Sequence, residues 1–283
     1  MVPKKIFDTF KEGSRTYFYS SLFFPRRVRE DVFRLYAFVR TADNYVDAIP
    51  QQPEAFYAFR ERYRAALEGA TTEDVIIDSF AGLLRRRGFD PAWITAFLDS
   101  MEMDLDKRRY QTMDELLEYI HGSAEVIGLM MARIMGLPDA ALPAAQMLGR
   151  AMQYINFIRD IHEDLQFGRI YFPLETLQRY GLSTLDKEEI RNHPDGYVAF
   201  VKEQIHRYCT WQETAEKGFH YIRKRYLIPV KTASEMYKWT AHKIRHDPFV
   251  VYRTKVKPLV PYIVSTVLRN VLAKPLKVES CSR

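Results

Sequence analysis

The sequence predicts an all-α fold, and three observations carry that expectation. Apolar residues recur at helical spacing along most of the 283 residues. Runs of strand-like alternation are scarce. Prolines and glycines fall between the periodic stretches at helix-length intervals. No Ser/Gly-rich or Pro-rich linker, low-complexity run or repeat divides the chain, so one bundle-like domain over residues 1–283 is expected. A hydrophobic content of 47% is enough for a sizeable core.

Taken in order, the first helix is YFYSSLFFP, which carries Tyr17, Ser20 and Ser21. Pro25 opens a long helix through Val46, which Pro50 and Pro53 close. Further helices are expected over 54–68, 73–87, 91–107, 113–135 and 139–165, with Gly136 and Pro138 separating the last two. The stretch FGRIYFPLE, broken by Gly168 and Pro173, is a loop. Helices follow over 195–225 and 229–246. Pro248 and Pro258 then bracket an irregular DPFVVYRTKVKP, and a last apolar helix covers 259–273.

The net charge of +6 suits an acidic partner: nucleic acid, anionic lipid or a polyphosphate substrate. Basic residues are spread along the chain and no nucleic-acid-binding signature occurs, so no nucleic acid is expected. Cys209 and Cys281 give neither a disulfide framework nor zinc spacing. The N-terminus lacks the apolar run of a signal peptide, and no stretch reaches about 18 uninterrupted apolar residues, so the expected location is the cytoplasm.

Two polar stripes carry the chemistry. Tyr36, Arg40, Asp43 and Asp47 step by four, three and four, which places them on one helical face among Phe33, Leu35, Ala37, Phe38, Val39 and Val46. Gln153, Asn156, Asp160 and Asp164 step by three, four and four among Met152, Ile155, Phe157, Ile158 and Ile161. A surface helix has a broad polar face; these helices are apolar nearly all round with one narrow acidic line. Buried carboxylates are costly unless neutralised. Facing lines would place Asp43, Asp47, Asp160 and Asp164 in one cavity, where they repel one another without a cation between them. Carboxylate oxygens favour a hard ion, Mg²⁺ or Mn²⁺, and Mg²⁺ keeps coordination sites for substrate phosphate oxygens. One acidic i,i+4 pair alone would be an accident of a solvated face; two pairs in phase with further polar residues point to a phosphorylated ligand bridged through metal.

The segments GSRTYFYSSLFFP, YAFVRTADNYVD, MDLDKRRYQTMDELLEYIHGSAEVIGLMM and QYINFIRDIHEDLQFGRIYFP resemble the squalene/phytoene synthase family, in the expected order over residues 13–173. The C-terminal third matches loosely. The resemblance implies an isoprenoid synthase-type helical bundle with a central cavity. It implies that Asp43, Asp47, Asp160 and Asp164 bind the Mg²⁺ that holds two prenyl diphosphates, with Gln153 and Asn156 as the polar lead-in to the second motif. Ser14, Arg15 and Thr16 fall at a diphosphate-binding segment; Thr16 stands where serine is usual and keeps the hydroxyl, and Gly13 stands where histidine is often found. The implied reaction is head-to-head condensation through a cyclopropylcarbinyl diphosphate. The product is phytoene from two geranylgeranyl diphosphates; the alternative is squalene or dehydrosqualene from two farnesyl diphosphates. NADPH is not expected for phytoene and belongs only to the squalene alternative.

Around this frame, Arg40, Arg159 and Arg253 are candidates for stabilising the leaving diphosphate. Aromatic faces attract a carbocation, which makes Tyr17, Tyr36, Phe38, Tyr110, Tyr119, Tyr154 and Tyr237 candidates for cavity lining; ordinary packing is the competing reading for each except Tyr36, which lies in phase with Arg40 and Asp43. Arg109 either reaches phosphate or pairs with Asp104 and Asp106 on its own helix. His162 and Glu163 read as outer or surface residues. Ser21, one turn beyond Tyr17, and Ser20 would leave depth for a longer tail, favouring the C20 substrate. A di-iron carboxylate bundle is the rival enzyme class, since Glu118 with His121 and Glu203 with His206 have the Glu-x-x-His spacing; it leaves both aspartate stripes unexplained. A non-catalytic relative would be expected to lose aspartates that are all present here. Finally, the helix LVPYIVSTVLRNVLA has basic flanks at Arg253, Lys255, Lys257, Lys274 and Lys277, which suits either peripheral attachment to an anionic membrane or closure of the core.

Overall fold

The computed structural model describes residues 2–13 and 15–272, the side chains of 15–17 excepted. Every element in it is helical. α1 (Lys4–Gly13) and α2 (Arg15–Ser21) precede α3 (Arg26–Val46), which starts directly after Pro25. α4 (Pro53–Leu67), α5 (Val75–Arg87) and α6 (Pro91–Asp106) follow. Asp74 and Asp90 cap α5 and α6 by accepting hydrogen bonds from Ile76 and Ala92 backbone N–H groups, at 2.9 Å in each case. Gly88, just beyond α5, and Gly136, just after Met135, take left-handed φ values of 61° and 66°, satisfying carbonyls that the helix leaves open.

The expected helix over 113–135 is interrupted. α7 (Met113–Ile120) passes into a π-turn at His121–Glu125 and then α8 (Val126–Met135). α9 (Leu142–Asp164) carries the second stripe, α10 (Leu174–Gln178) and α11 (Lys187–Asn192) are short, and α12 (Pro194–Glu216) packs along α9. α13 (Lys224–His246) begins before the expected boundary and holds Pro229 inside it; α14 (Val260–Leu272) closes the described chain. Pro53 does not terminate α3, which ends at Val46; it is the first residue of α4, where its missing N–H costs nothing.

Two large apolar clusters support the bundle. One joins α1–α6 and α8 through residues such as Phe10, Phe38, Phe59 and Phe97. The other joins α7, α9, α12 and α13 through residues such as Tyr154, Ile158, Phe200 and Tyr208. Buried Asp31 accepts from Arg34, Arg86 and Arg87 at 2.8–3.2 Å and so ties α3 to the end of α5. Cys281 lies outside the described residues. Among the described residues no helix is long and apolar enough to cross a membrane.

Candidate active site

α3 and α9 bring the two stripes to opposite walls of a cavity of about 580 Å³. Tyr36, Arg40, Asp43 and Asp47 line one side, and Gln153, Asn156, Asp160 and Asp164 the other. A second, mostly apolar cavity of about 300 Å³ runs on from it between α2, the π-turn, α9 and α13. Tyr36, Val39, Ser123, Gln153 and Asn156 line both and form the waist between them. Ser123 Oγ and Asn156 Oδ1 are buried there without a hydrogen-bond partner.

In the polar chamber, Arg40 pairs with Asp43 one turn away. Arg159 grips Asp160 through Nε at 2.8 Å and Nη2 at 2.5 Å, and Lys255 approaches the same carboxylate at 3.5 Å. The segment after α9 delivers a further cation. Ile170 N–H donates to the Arg108 carbonyl at 2.9 Å, and residues 109 and 170 form an isolated bridge. This turns Arg169 inward, where it is 3% exposed. Its guanidinium donates to Asp47 Oδ1 at 2.6 Å, to the Val46 carbonyl at 2.7 Å and to the Asp104 carbonyl at 3.0 Å. Asp104, also 3% exposed, accepts from the hydroxyls of Tyr119 at 2.6 Å and Tyr171 at 2.9 Å.

The carboxylates are unequally compensated. Burial, then repulsion from Asp47, pushes the Asp43 carboxyl up to about 7 against the pull of Arg40. Burial, then Asp160, Asp104 and Asp47, pushes Asp164 well above the usual carboxylate range. Burial raises Asp104 to about 6, with Arg169 and the two tyrosine hydroxyls opposing it. Burial works against ionisation of Asp160 too, but Arg159 and then Lys255 and Lys257 outweigh it and hold its carboxyl low. The protein's own cations therefore leave Asp43 and Asp164 short of positive charge. Among the described residues no three His, Cys, Asp or Glu side chains converge on one point. Hard oxygen donors on facing walls, short of compensation, fit divalent cations shared with the oxygens of a bound polyphosphate.

Of the aromatic candidates, Tyr36, Tyr119 and Tyr237 line the polar chamber. Phe38, Tyr110 and Tyr154 are at most 1% exposed and belong to the apolar clusters. Ser21 and Ser20 line the apolar cavity. Arg109 is exposed, with its Nη1 donating to the Ser183 carbonyl at 3.3 Å, and neither cavity includes it. Asp104 turns instead to the two tyrosines and Arg169. Arg253 is exposed beside Asp247; the cation that the same segment adds to the chamber wall is Lys257. Ser14 and the side chains of Arg15, Thr16 and Tyr17 lie outside the described residues, as do Lys274 and Lys277. A Cβ on Gly13 would lie 2.6 Å from the Tyr36 hydroxyl, so the glycine in place of the family's histidine leaves room for that ring. Glu118, Glu203 and His206 of the Glu-x-x-His pairs line neither cavity.

Arg169, Tyr171 and Asp104 were not singled out from the sequence as site residues. Asp104 did carry a signal: it sits in phase with Phe97, Ser100 and Met101, on the buried face of α6. Arg169 and Tyr171 lie in a loop, where no periodicity marks which way a side chain turns.

A family model described as squalene/phytoene synthase matches residues 10–260. The chain is 33% identical over 184 residues to a 15-cis-phytoene synthase from Paracoccus sp. (strain N81106 / MBIC 01143), spanning 62% of this chain and 60% of that protein. It is 30% identical over 258 residues to a 15-cis-phytoene synthase from Synechocystis sp. (strain ATCC 27184 / PCC 6803 / Kazusa), spanning 86% and 76%. A ligand-bound dehydrosqualene synthase superposes with a TM-score of 0.83 at 22% identity, over 94% of each chain. A squalene synthase from Alicyclobacillus acidocaldarius superposes with a TM-score of 0.73 at 24% identity, over 88% of this chain and 97% of that one. At those identities the structural likeness speaks for the fold.

Proposed function

This chain belongs to the squalene/phytoene synthase family of prenyltransferases, and from that premise we propose that its residues act as one domain that condenses two geranylgeranyl diphosphates head to head to phytoene. The observation that carries the proposal is the continuity of a charged chamber with an apolar tunnel through one waist. A prenyl diphosphate has that same division: a polyanionic head and a hydrocarbon tail. Two proteins named phytoene synthase in the relatives above support the C20 substrate, as do the small Ser20 and Ser21 on the tunnel wall.

The first half-reaction breaks the C–O bond of one diphosphate; the allylic cation alkylates the double bond of the second substrate and a proton leaves, giving a cyclopropylcarbinyl diphosphate. The second breaks the remaining C–O bond, and the rearranged cation loses a proton to give phytoene. Mg²⁺, held by Asp43, Asp47, Asp160 and Asp164, would supply Lewis acidity at the leaving oxygens. The chain's own contribution is positional. Arg40, Arg159, Arg169 and Lys257 offer N–H donors where negative charge develops. Tyr36 places an aromatic ring at the waist, Tyr119 and Tyr237 place theirs in the head chamber, and the apolar tunnel keeps water from the cation.

The test is incubation of purified protein with Mg²⁺ and either the C15 or the C20 diphosphate, with and without NADPH, followed by identification of hydrocarbons. Phytoene from the C20 substrate without NADPH is expected. Turnover of the C15 substrate alone would replace phytoene by the squalene or dehydrosqualene reading. Full activity in EDTA would remove the metal.

A further inference from the structure

One buried acid has no part in the reaction above. Glu125 is 1% exposed and is the last residue of the π-turn His121–Glu125. Its carboxylate accepts from Gln146 Nε2 at 2.6 Å and Arg150 Nε at 2.5 Å, and it shares a hydrogen bond with His121 Nδ1 at 3.0 Å. Gln146 and Arg150 belong to α9, the helix that also carries Gln153, Asn156, Asp160 and Asp164. Burial pushes this carboxyl up, but the bonds from Gln146, Arg150 and His121 outweigh it and hold the group below the usual carboxylate range.

The backbone around the knot has no slack. A Cβ on Gly149 of α9 would come within 2.3 Å of the Ala124 carbonyl oxygen, and one on Gly122 within 2.0 Å of the Ala96 carbonyl oxygen of α6. The π-turn is thus gripped between two helices with no side chain as spacer. A π-turn adds a residue to the helical repeat and so resets which side chains face inward. Here the residues turned inward are Ser123, which lines both cavities, and Ala124, which lines the tunnel. Neither Glu125, Gln146 nor Arg150 lines a cavity; the knot lies behind the wall it holds.

We propose that Glu125 is a positioning residue for tail-length selectivity: its carboxylate locks the π-turn against α9 so that Ser123 at the waist and Ala124 on the adjoining tunnel wall are held rigidly. This rests on the reaction proposed above. A wall that cannot move accepts one tail and strains another, whereas a wall that yields discriminates less.

The experiment is competition between equimolar C15 and C20 diphosphates with Mg²⁺, reading the ratio of C40 to C30 hydrocarbon, alongside the thermal midpoint of each variant. Glu125→Ala, and Gln146→Ala, which removes a partner on α9 without stranding the acid, are expected to move the ratio towards unity by about threefold or more. Glu125→Gln, which can still accept from Arg150, should restore most of the wild-type ratio. Folded Glu125→Ala and Gln146→Ala proteins with a wild-type ratio and only a lower thermal midpoint would overturn the proposal. If Glu125→Ala does not fold, Gln146→Ala decides alone. A wild type that prefers C15 counts against the phytoene reading, while the shift in ratio between wild type and variants still decides the role of Glu125.

Discussion

Asp43, Asp47, Asp104, Asp160 and Asp164 open into the head chamber, and their protonation links stability to metal. Asp43 keeps its proton in the folded chain up to about 7, whereas an unfolded aspartate loses it near 3.8. Between those values the folded state binds more protons than the unfolded one, so stability must fall as pH rises through the window. Asp104, raised to about 6, acts in the same direction. The thermal midpoint in EDTA should therefore be highest below about pH 4 as far as these groups are concerned and decline towards pH 7. Mg²⁺ should flatten the decline, because it favours the ionised form. A midpoint that rises across that window for Asp43→Asn subtracted from wild type would contradict the assignment. Asp43→Asn and Asp164→Asn should each lower turnover by about 10²–10³-fold, yet leave the metal-free midpoint unchanged or higher, since each removes a carboxylate that its neighbours repel. Normal turnover at ordinary Mg²⁺ in either variant would remove these residues from the metal site. The stripes on α3 and α9 were legible in the sequence because helical phase alone puts their members on one face. Arg169 was not, because its direction is set by a bridge between residues far apart in the chain.

At the scale of elements, α2 lines the tunnel with the small residues Ser20 and Ser21. Ser21 is 3% exposed and its hydroxyl donates to the Phe18 carbonyl at 2.7 Å, so the side chain adds almost no bulk to the wall. A C20 tail carries five more carbons than a C15 tail, and each buried CH₂ is worth about 0.8 kcal/mol, so a tunnel deep enough favours the longer tail by roughly 2–4 kcal/mol. Ser21→Phe fills that depth at a distance from the aspartates and should shift product from C40 towards C30 in a protein shown to be folded. An unchanged ratio would mean that position 21 does not meet the tail. The long helices were legible for the same reason as the stripes: sustained periodicity with proline or glycine at the ends. α1, α10 and α11 were not, because segments of 10, 5 and 6 residues are too short to establish a period. The π-turn was hidden inside an unbroken apolar pattern. Its Gly122 costs a helix only modestly, and the close approach of the α6 backbone is what shows why a glycine stands there.

At the scale of the molecule, the sequence left α14 open between closing the core and meeting a membrane. One face of the helix packs on the protein and the opposite face is exposed. Ile263, Thr266, Val267 and Asn270 are buried, with Asn270 Nδ2 donating to Thr232 Oγ1 at 3.2 Å and Glu235 Oε2 at 3.0 Å on α13. The opposite face exposes Leu268 at 58% and Leu272 at 83%, with Leu259 at 75% just before the helix. α14 packs on α13 and α2, the helices that wall the apolar tunnel, and α2 is followed by exposed Leu22 and Phe23. The apolar outer surface thus lies over the tunnel that would hold the hydrocarbon. An excess of positive charge, +6 over the chain, adds attraction to an anionic surface. Apolar contact and charge together are the combination that peripheral attachment requires. Purified protein should therefore float with vesicles containing anionic lipid at low salt, float less as salt rises, and float little with neutral vesicles. Leu268→Asp, which adds a charge to the outer face and leaves the inner face intact, should abolish flotation while preserving the thermal midpoint and turnover of detergent-dispersed substrate. Failure of the wild type to float at low salt would leave α14 with its core-facing role alone.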